Sequence, residues 1–259
     1  MFKAELKSRQ DEDICVSVTL DNHSKNYICE CGDASGLTVK DCQDAEAIFI
    51  SHAHIDHFVN FDSLIRHQIG TEKRIVVCGP QDITERVTHK LLAYTWNLIE
   101  AGSVEYEIRE ISESGIKRTL LAPPNWEPIT LPDLDLPLGQ IFSNERFAVH
   151  FTILDHKTPS VAYLFQEFDS VNINLKNGKF RGGPWIRELK EAFVNDQKNR
   201  EITIGEKAFE AQELFYLLEI KRGYKLGIKM DHAPNEENHS KIKALFSSSD
   251  KVLIESFYN

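Results

Sequence analysis

The chain has 259 residues, 41% apolar and 27% charged, with a formal net charge of -10 and an isoelectric point near 5.5. That size and balance suit a globular protein with an ample core, and no stretch is low-complexity or as long and apolar as a membrane span. The acidic surplus argues against a broad nucleic-acid-binding surface, although a local basic cleft can sit on an acidic protein.

Met1 to Gln10 carries Lys3, Lys7 and Arg9 but no apolar segment, so it does not read as a secretory signal. Ile14, Val16 and Val18 alternate with polar neighbours over Asp13 to Leu20, which predicts a strand. The turn Asp21-Asn22-His23-Ser24 makes this a hairpin into Asn26–Cys31, with His23 a solvated turn residue. Cys29-Glu30-Cys31 lacks a second cysteine pair, and strand alternation would bury both thiols on one face. The five cysteines are an odd count without a disulfide framework, as in a reduced, cytoplasmic protein. Ala45 to Ile50 is the next strand. Phe58 to Gln68 has helical spacing, Ile75 to Cys78 is a short apolar run ended by Gly79-Pro80, and Ile83 to Ile99 reads as a helix.

Ser103 to Glu110 alternates again, and five prolines between Pro123 and Pro137 mark a long ordered loop. Phe147–Leu154 and Ala162–Phe168 are predicted to pair, with His150 a structural histidine on the first of them. Trp185 to Asn195 is a helix, Leu214–Ile220 and Lys225–Met230 are strands, Ser240–Phe246 is helical and Val252–Ser256 is a final strand. Strands alternating with helices, some joined as hairpins, predict a mixed α/β protein with helices on the outer faces of its sheets. His67 and His89 fall on amphipathic helices as surface residues, and His239 on a solvated helix face.

The chemistry concentrates in Ser51-His52-Ala53-His54-Ile55-Asp56-His57, directly after the apolar run Ala47–Ile50. Three imidazoles and a carboxylate so close together repel as cations and cost desolvation as bare side chains. A divalent metal removes both problems. Nitrogen and carboxylate donors suit zinc, and also iron or manganese.

This string resembles the H-x-H-x-D-H signature of the metallo-β-lactamase superfamily. Asn26–Gly32 resembles the strand that carries Asp-Cys-Gly in many members, with Glu30 in place of the acid, and Val77-Cys78-Gly79-Pro80 resembles the family's strand ending in Gly-Pro. Leu154–Tyr163, containing His156, looks like the third-histidine motif of the ribonuclease Z branch. Asp231, after Leu226–Met230, falls where the family has its bridging aspartate, and Lys251–Phe257 resembles the strand that follows. The resemblance implies an αββα sandwich (α/β, or α+β) formed as one domain over residues 1–259. It implies two divalent ions, zinc first: His52, His54 and His156 on one, Asp56 and His57 on the other, Asp231 on both.

Two such ions about 3.5 Å apart share a water and lower its pKa from near 15.7 to about 7, and they clamp the oxygens of a phosphodiester. Asp56 is the candidate general base. The implied activity is a phosphodiesterase of the ribonuclease Z kind acting on RNA, such as the 3′ trailer of a transfer RNA precursor. Hydrolysis of a small phosphodiester or other ester, and a non-catalytic metal-binding scaffold, stand beside it.

Three departures bear on this. Asn60 replaces a frequent glycine. His232 replaces a frequent threonine and could swing toward a metal beside Asp231. Two further family histidines would lie beyond Asn259, so the expectation is a second metal position left open, to water or to His232, and an apolar edge near Val252–Phe257 covered in a homo-oligomer.

Overall fold

The computed structural model describes residues 1–9, 12–176 and 179–255. Gln10, Ser256 and Phe257, which belong to segments read above, lie outside the described residues. The chain gathers into two compact units, Met1–Glu167 with Tyr224–Asn259, and Phe168–Gly223.

The larger unit opens with strands β1 (Phe2–Leu6), β2 (Val16–Leu20) and β3 (Asn26–Cys29), helix α1 (Val39–Asp44), and strand β4 (Ala45–Phe49). Two helices follow, α2 (Ile55–Phe58) and α3 (Phe61–Gln68), then β5 (Arg74–Pro80), α4 (Ile83–Leu92), β6 (Glu105–Ser112), β7 (Gly115–Leu121) and β8 (Ile129–Thr130). These eight strands form one sheet in sequence order, parallel from β3 to β6 and antiparallel at both ends. β9 (Gln140–Ser143), β10 (Phe147–Asp155) and β11 (Pro159–Glu167) start a second sheet.

The smaller unit contains β12 (Ser170–Ile173), α5 (Trp185–Val194), β13 (Glu201–Ile204), β14 (Lys207–Glu210), α6 (Ala211–Leu214) and β15 (Leu218–Lys221). It has its own apolar cluster around Trp185, Leu189, Ile202 and Leu214. The chain then returns to the larger unit as β16 (Lys225–Lys229), α7 (Glu236–Phe246) and β17 (Lys251–Ile254). The second sheet has the order β17-β16-β11-β10-β9, and β16 and β17 are parallel.

Period-two alternation builds the core of the larger unit. In β4, Ala47 and Phe49 face a cluster shared with Tyr27, Phe147, Tyr163 and Phe165, between the two sheets. Ile48 and Ile50 face the opposite side, where Phe61, Leu64, Val87 and Leu91 of α3 and α4 pack. A strand buried on both faces reads as an unbroken apolar run, which is why Ala47–Ile50 carries no polar residue. With α7 joined to the end of β10 through Asn238, the layers run helix, sheet, sheet, helix. That is the αββα sandwich the motif resemblance implies. Among the described residues, no helix is long and apolar enough to cross a membrane.

Several elements differ from the sequence reading. The helix expected to reach Ile99 ends at Leu92, where the Trp96 indole N–H donates to the Leu91 carbonyl at 2.6 Å and satisfies one of the carbonyls a helix end leaves open. Leu214–Ile220 is not one strand. Glu210 and Glu213 form a reciprocal cap that starts α6, a 3₁₀ turn follows at Phe215–Leu217, and only Leu218–Lys221 is extended. Cys29 and Cys31 are both buried, but in the clusters on opposite sides of the first sheet. Glu30 between them has φ 63°, and this left-handed residue breaks the alternation. His23 is largely covered, with its Nε2 2.9 Å from the Tyr27 hydroxyl.

Candidate metal centre

The His-rich segment leaves β4 at the C-terminal edge of the parallel strands, where α/β folds gather ligand-binding side chains. Its backbone is tied on several sides. Ile50 N–H donates to Cys78 O at 2.8 Å, Val161 N–H to Ser51 O at 2.8 Å, and the Tyr163 hydroxyl to Ile50 O at 2.8 Å, so both sheets hold the start of the loop. His54 takes extended dihedrals at the N-cap of α2, and Asp56 and His57 follow within that single turn. Cys31 N–H donates to His57 O at 2.9 Å, which pins the far end of the loop to the bend after β3.

His156 arrives on the tight turn between β10 and β11, where Lys157 has φ 60° and His156 N–H donates to Thr158 O at 2.9 Å. Asp231 arrives on the segment after β16. Buried Asn238 fastens these two together: its side chain accepts from Asp155 N–H at 2.9 Å and donates to the Asp155 and Ala233 carbonyls at 2.8 Å each.

These three segments bring the sequence-predicted residues to one place. His52, His54 and His156 present ring nitrogens that all lie within 4.8 Å of one another, and so do His52, His57 and Asp231. His52 Nε2 is 2.9 Å from His54 Nδ1, and His156 Nε2 is 3.5 Å from Asp231 Oδ2. Asp56 Oδ2 lies 3.5 Å from His57 Nε2. His232 joins neither group; its Nδ1 is 2.9 Å from the ammonium of Lys229. His239 is exposed and His150 half-buried on β10, as read.

Two carboxylates complete the arrangement. Glu30 is fully buried, accepts the Ser51 N–H at 2.8 Å, and places its second oxygen 3.3 Å from His57 Nδ1. Glu255, just past β17, sets an oxygen 3.7 Å from His57 Nε2. The sequence marked Glu30 only as a substitution in a motif and gave Glu255 no role. Nothing local distinguishes a strand-end glutamate, and its partner lies far away in the chain.

Electrostatics follow from this crowding. Burial, with the neighbouring imidazoles of His57, His54 and His156, pushes His52 down to about 3, so it is a neutral donor at pH 7. Burial also opposes charge on His57, but Glu30, then Glu255 and Asp56, outweigh it and lift the imidazole to about 9. Burial raises Glu255 to about 7 against the pull of His57. Glu30 Oε2 faces His57 Nδ1 as an ion pair, while His57 Nε2 and Glu255 Oε2 are buried without a hydrogen-bond partner. A buried imidazole nitrogen beside a buried carboxylate oxygen, each without a partner, fits the donor set of a divalent cation.

Glu30 should therefore matter to folding as well. Glu30→Ala is expected to cost about 3–5 kcal/mol in urea unfolding of the metal-free chain, because it removes the counter-ion on the Nδ1 side of the buried His57 ring. A loss below about 1 kcal/mol would mean that the pair behaves like a solvated one.

No family model matches the chain. It is 26% identical over 161 residues to the ribonuclease Z of Treponema denticola, covering 59% of this chain and 42% of that protein. It is 26% identical over 203 residues to the ribonuclease Z of Methanocaldococcus jannaschii, covering 76% and 53%. The chain thus spans about half the length of the curated relatives it matches. Among solved structures, a long form RNase Z from yeast superposes with a TM-score of 0.50 over 96% of this chain and 30% of that one, at 13% identity.

Proposed function

Because the chain belongs to the metallo-β-lactamase superfamily, on its ribonuclease Z branch, we propose that it is a metal-dependent hydrolase of phosphodiester bonds in RNA. The observation that carries this reading is the convergence of His52, His54, His156, His57 and Asp231 into two overlapping ligand groups on one side of the sandwich. His52, His54 and His156 would hold one divalent ion, Asp56 and His57 the second, and Asp231 both. Zinc suits the imidazole-rich group best, with iron and manganese also matching the donors.

A bound pair of divalent ions supplies a lowered pKa for water and charge neutralisation on the phosphoryl oxygens. The protein's own residues do the rest. Asp56 accepts the proton of the attacking water at Oδ. Glu30 fixes the ring plane of His57 through Nδ1 and leaves Nε2 directed at the carboxylates, the role an outer-shell acid plays for a ligand histidine. Ser51 Oγ, 3.0 Å from His52 Nδ1, selects which ring nitrogen of His52 faces the group.

The test is cleavage of a transfer RNA precursor carrying a 3′ trailer, run beside bis(p-nitrophenyl) phosphate. The wild-type chain should release the trailer, and Asp56→Ala should slow release by about 10²–10⁴-fold, with His54→Ala comparably impaired. Turnover of the small ester without RNA cleavage moves the substrate to small phosphodiesters. Binding of the RNA without any turnover, unchanged in both variants, makes the chain a scaffold.

A further inference from the structure

We propose that the Glu255 carboxylate is itself a ligand of the second metal, giving that position one nitrogen and three carboxylate donors. This rests on the metal-centre reading above and adds a residue that the motif does not contain.

The geometry is centred on His57. Its Nε2, in a ring with no exposed surface, has Asp56 Oδ2 at 3.5 Å, Glu255 Oε2 at 3.7 Å and Asp231 Oδ2 at 3.9 Å, and no hydrogen-bond partner. Glu255 Oε2 is also buried and unpartnered. Three carboxylates drawn around one buried imidazole nitrogen form the donor set of a divalent cation, which on binding replaces the ring's proton. The neighbouring ammonium of Lys229 does not fill that role: it is directed at His232 Nδ1, 2.9 Å away.

The fold accounts for the placement of the carboxylate. β16 and β17 run parallel, with Lys229 opposite Ile254. Asp231 and Glu255 therefore leave the same ends of neighbouring strands, and the Glu255 N–H donates to Lys229 O at 3.2 Å. Two acids are delivered side by side at the C-terminal edge of the sheet, opposite the His52 loop. The two metal positions then differ in kind. His52, His54 and His156 make one rich in nitrogen, while Asp56, Asp231 and Glu255 make the other rich in oxygen. Oxygen donors favour manganese relative to zinc more than imidazoles do.

The experiment is binding of Mn²⁺ to the metal-free 259-residue chain preloaded with one equivalent of zinc, read by the loss of the free-ion EPR signal. Metal content is measured in parallel by elemental analysis. The wild type should take up one manganese. Glu255→Gln, which keeps the side-chain volume, should weaken that uptake by about tenfold or more while retaining the zinc. Glu255→His should restore a second equivalent but shift its preference from manganese toward zinc. The wild-type preference is read without any variant, so a folding failure in Glu255→Gln does not remove the test. Manganese binding equal to wild type in both Glu255→Gln and Glu255→Ala overturns this proposal alone. A wild-type chain that takes up no metal at all overturns the metal-centre reading and this one with it.

Discussion

Gly32→Ala is expected to destabilise the chain by about 3 kcal/mol or more and to cost it the second metal position. A Cβ on Gly32 would fall far inside the van der Waals contact distance of the Asp56 carbonyl oxygen and 2.5 Å from the Asp13 Cβ. Neither neighbour can give way. Gly32 N–H donates to Ile14 O and Asp33 N–H to Asp13 O, each at 2.9 Å, while Cys31 N–H holds His57 O and Cys31 O accepts the Asn60 N–H at 2.9 Å. The Asn60 side-chain amide also donates to Gly32 O, so the residue that departs from the family's frequent glycine here braces the same crossing. Two backbones pinned at this distance must separate, and the one that moves carries Asp56 and His57. Gly182→Ala is the control: its Cβ would meet nothing closer than 3.8 Å, and its effect should stay within about 0.5 kcal/mol. Urea unfolding and metal content of the two variants read the contrast; equal stability in both would remove the crossing as a structural constraint.

The same region shows what a linear reading can and cannot reach. His52, His54, Asp56 and His57 were legible because four potential ligands in one short loop after a buried strand are costly to hold together without a cation. His156 and Asp231 were legible through the resemblance to the family's motifs, and the structure does set them within reach of that loop. Glu30 and Glu255 were not. Each is an ordinary acid in an alternating or apolar segment, and its meaning depends on His57 arriving from another element. The paired cysteines failed for a related reason: alternation is a property of extended backbone, and the single left-handed residue Glu30 suspends it. The helix beyond Leu92 failed because Trp96 packs on Trp126 from another part of the chain, a contact no local spacing reveals. Layer order survived these errors, since it depends on which faces are apolar and not on where each element stops.

Removal of metal should make stability fall as pH rises from about 6.5 to about 9, and should make the gap between metal-loaded and metal-free protein widen over the same range. In the metal-free chain His57 is lifted from 6.5 to about 9, mainly because Glu30 outweighs the burial of the ring. A base raised in this way contributes stability that is fully present below its unfolded value and lost as pH climbs through the folded one, at most about 3 kcal/mol here. His52 works in the opposite window. Pushed down to about 3, it contributes stability present above 6.5 and lost as pH falls toward 3. Glu255, raised to about 7, partly offsets that loss, since its native form holds a proton over 4.5–7 that the unfolded chain has given up. The metal-free chain should thus have a broad stability maximum between about pH 4.5 and 6.5, a consequence of four side chains placed for a cation and left to neutralise one another. Metal binding runs the other way, because a ligand imidazole must be neutral and affinity therefore rises as His57 gives up its proton. Melting temperatures at pH 6.5 and pH 9, with and without chelator, separate the two trends. A metal-free melting temperature that holds level across that interval would place the His57 charge outside the folding equilibrium, and with it the account of Glu30 as its counter-ion.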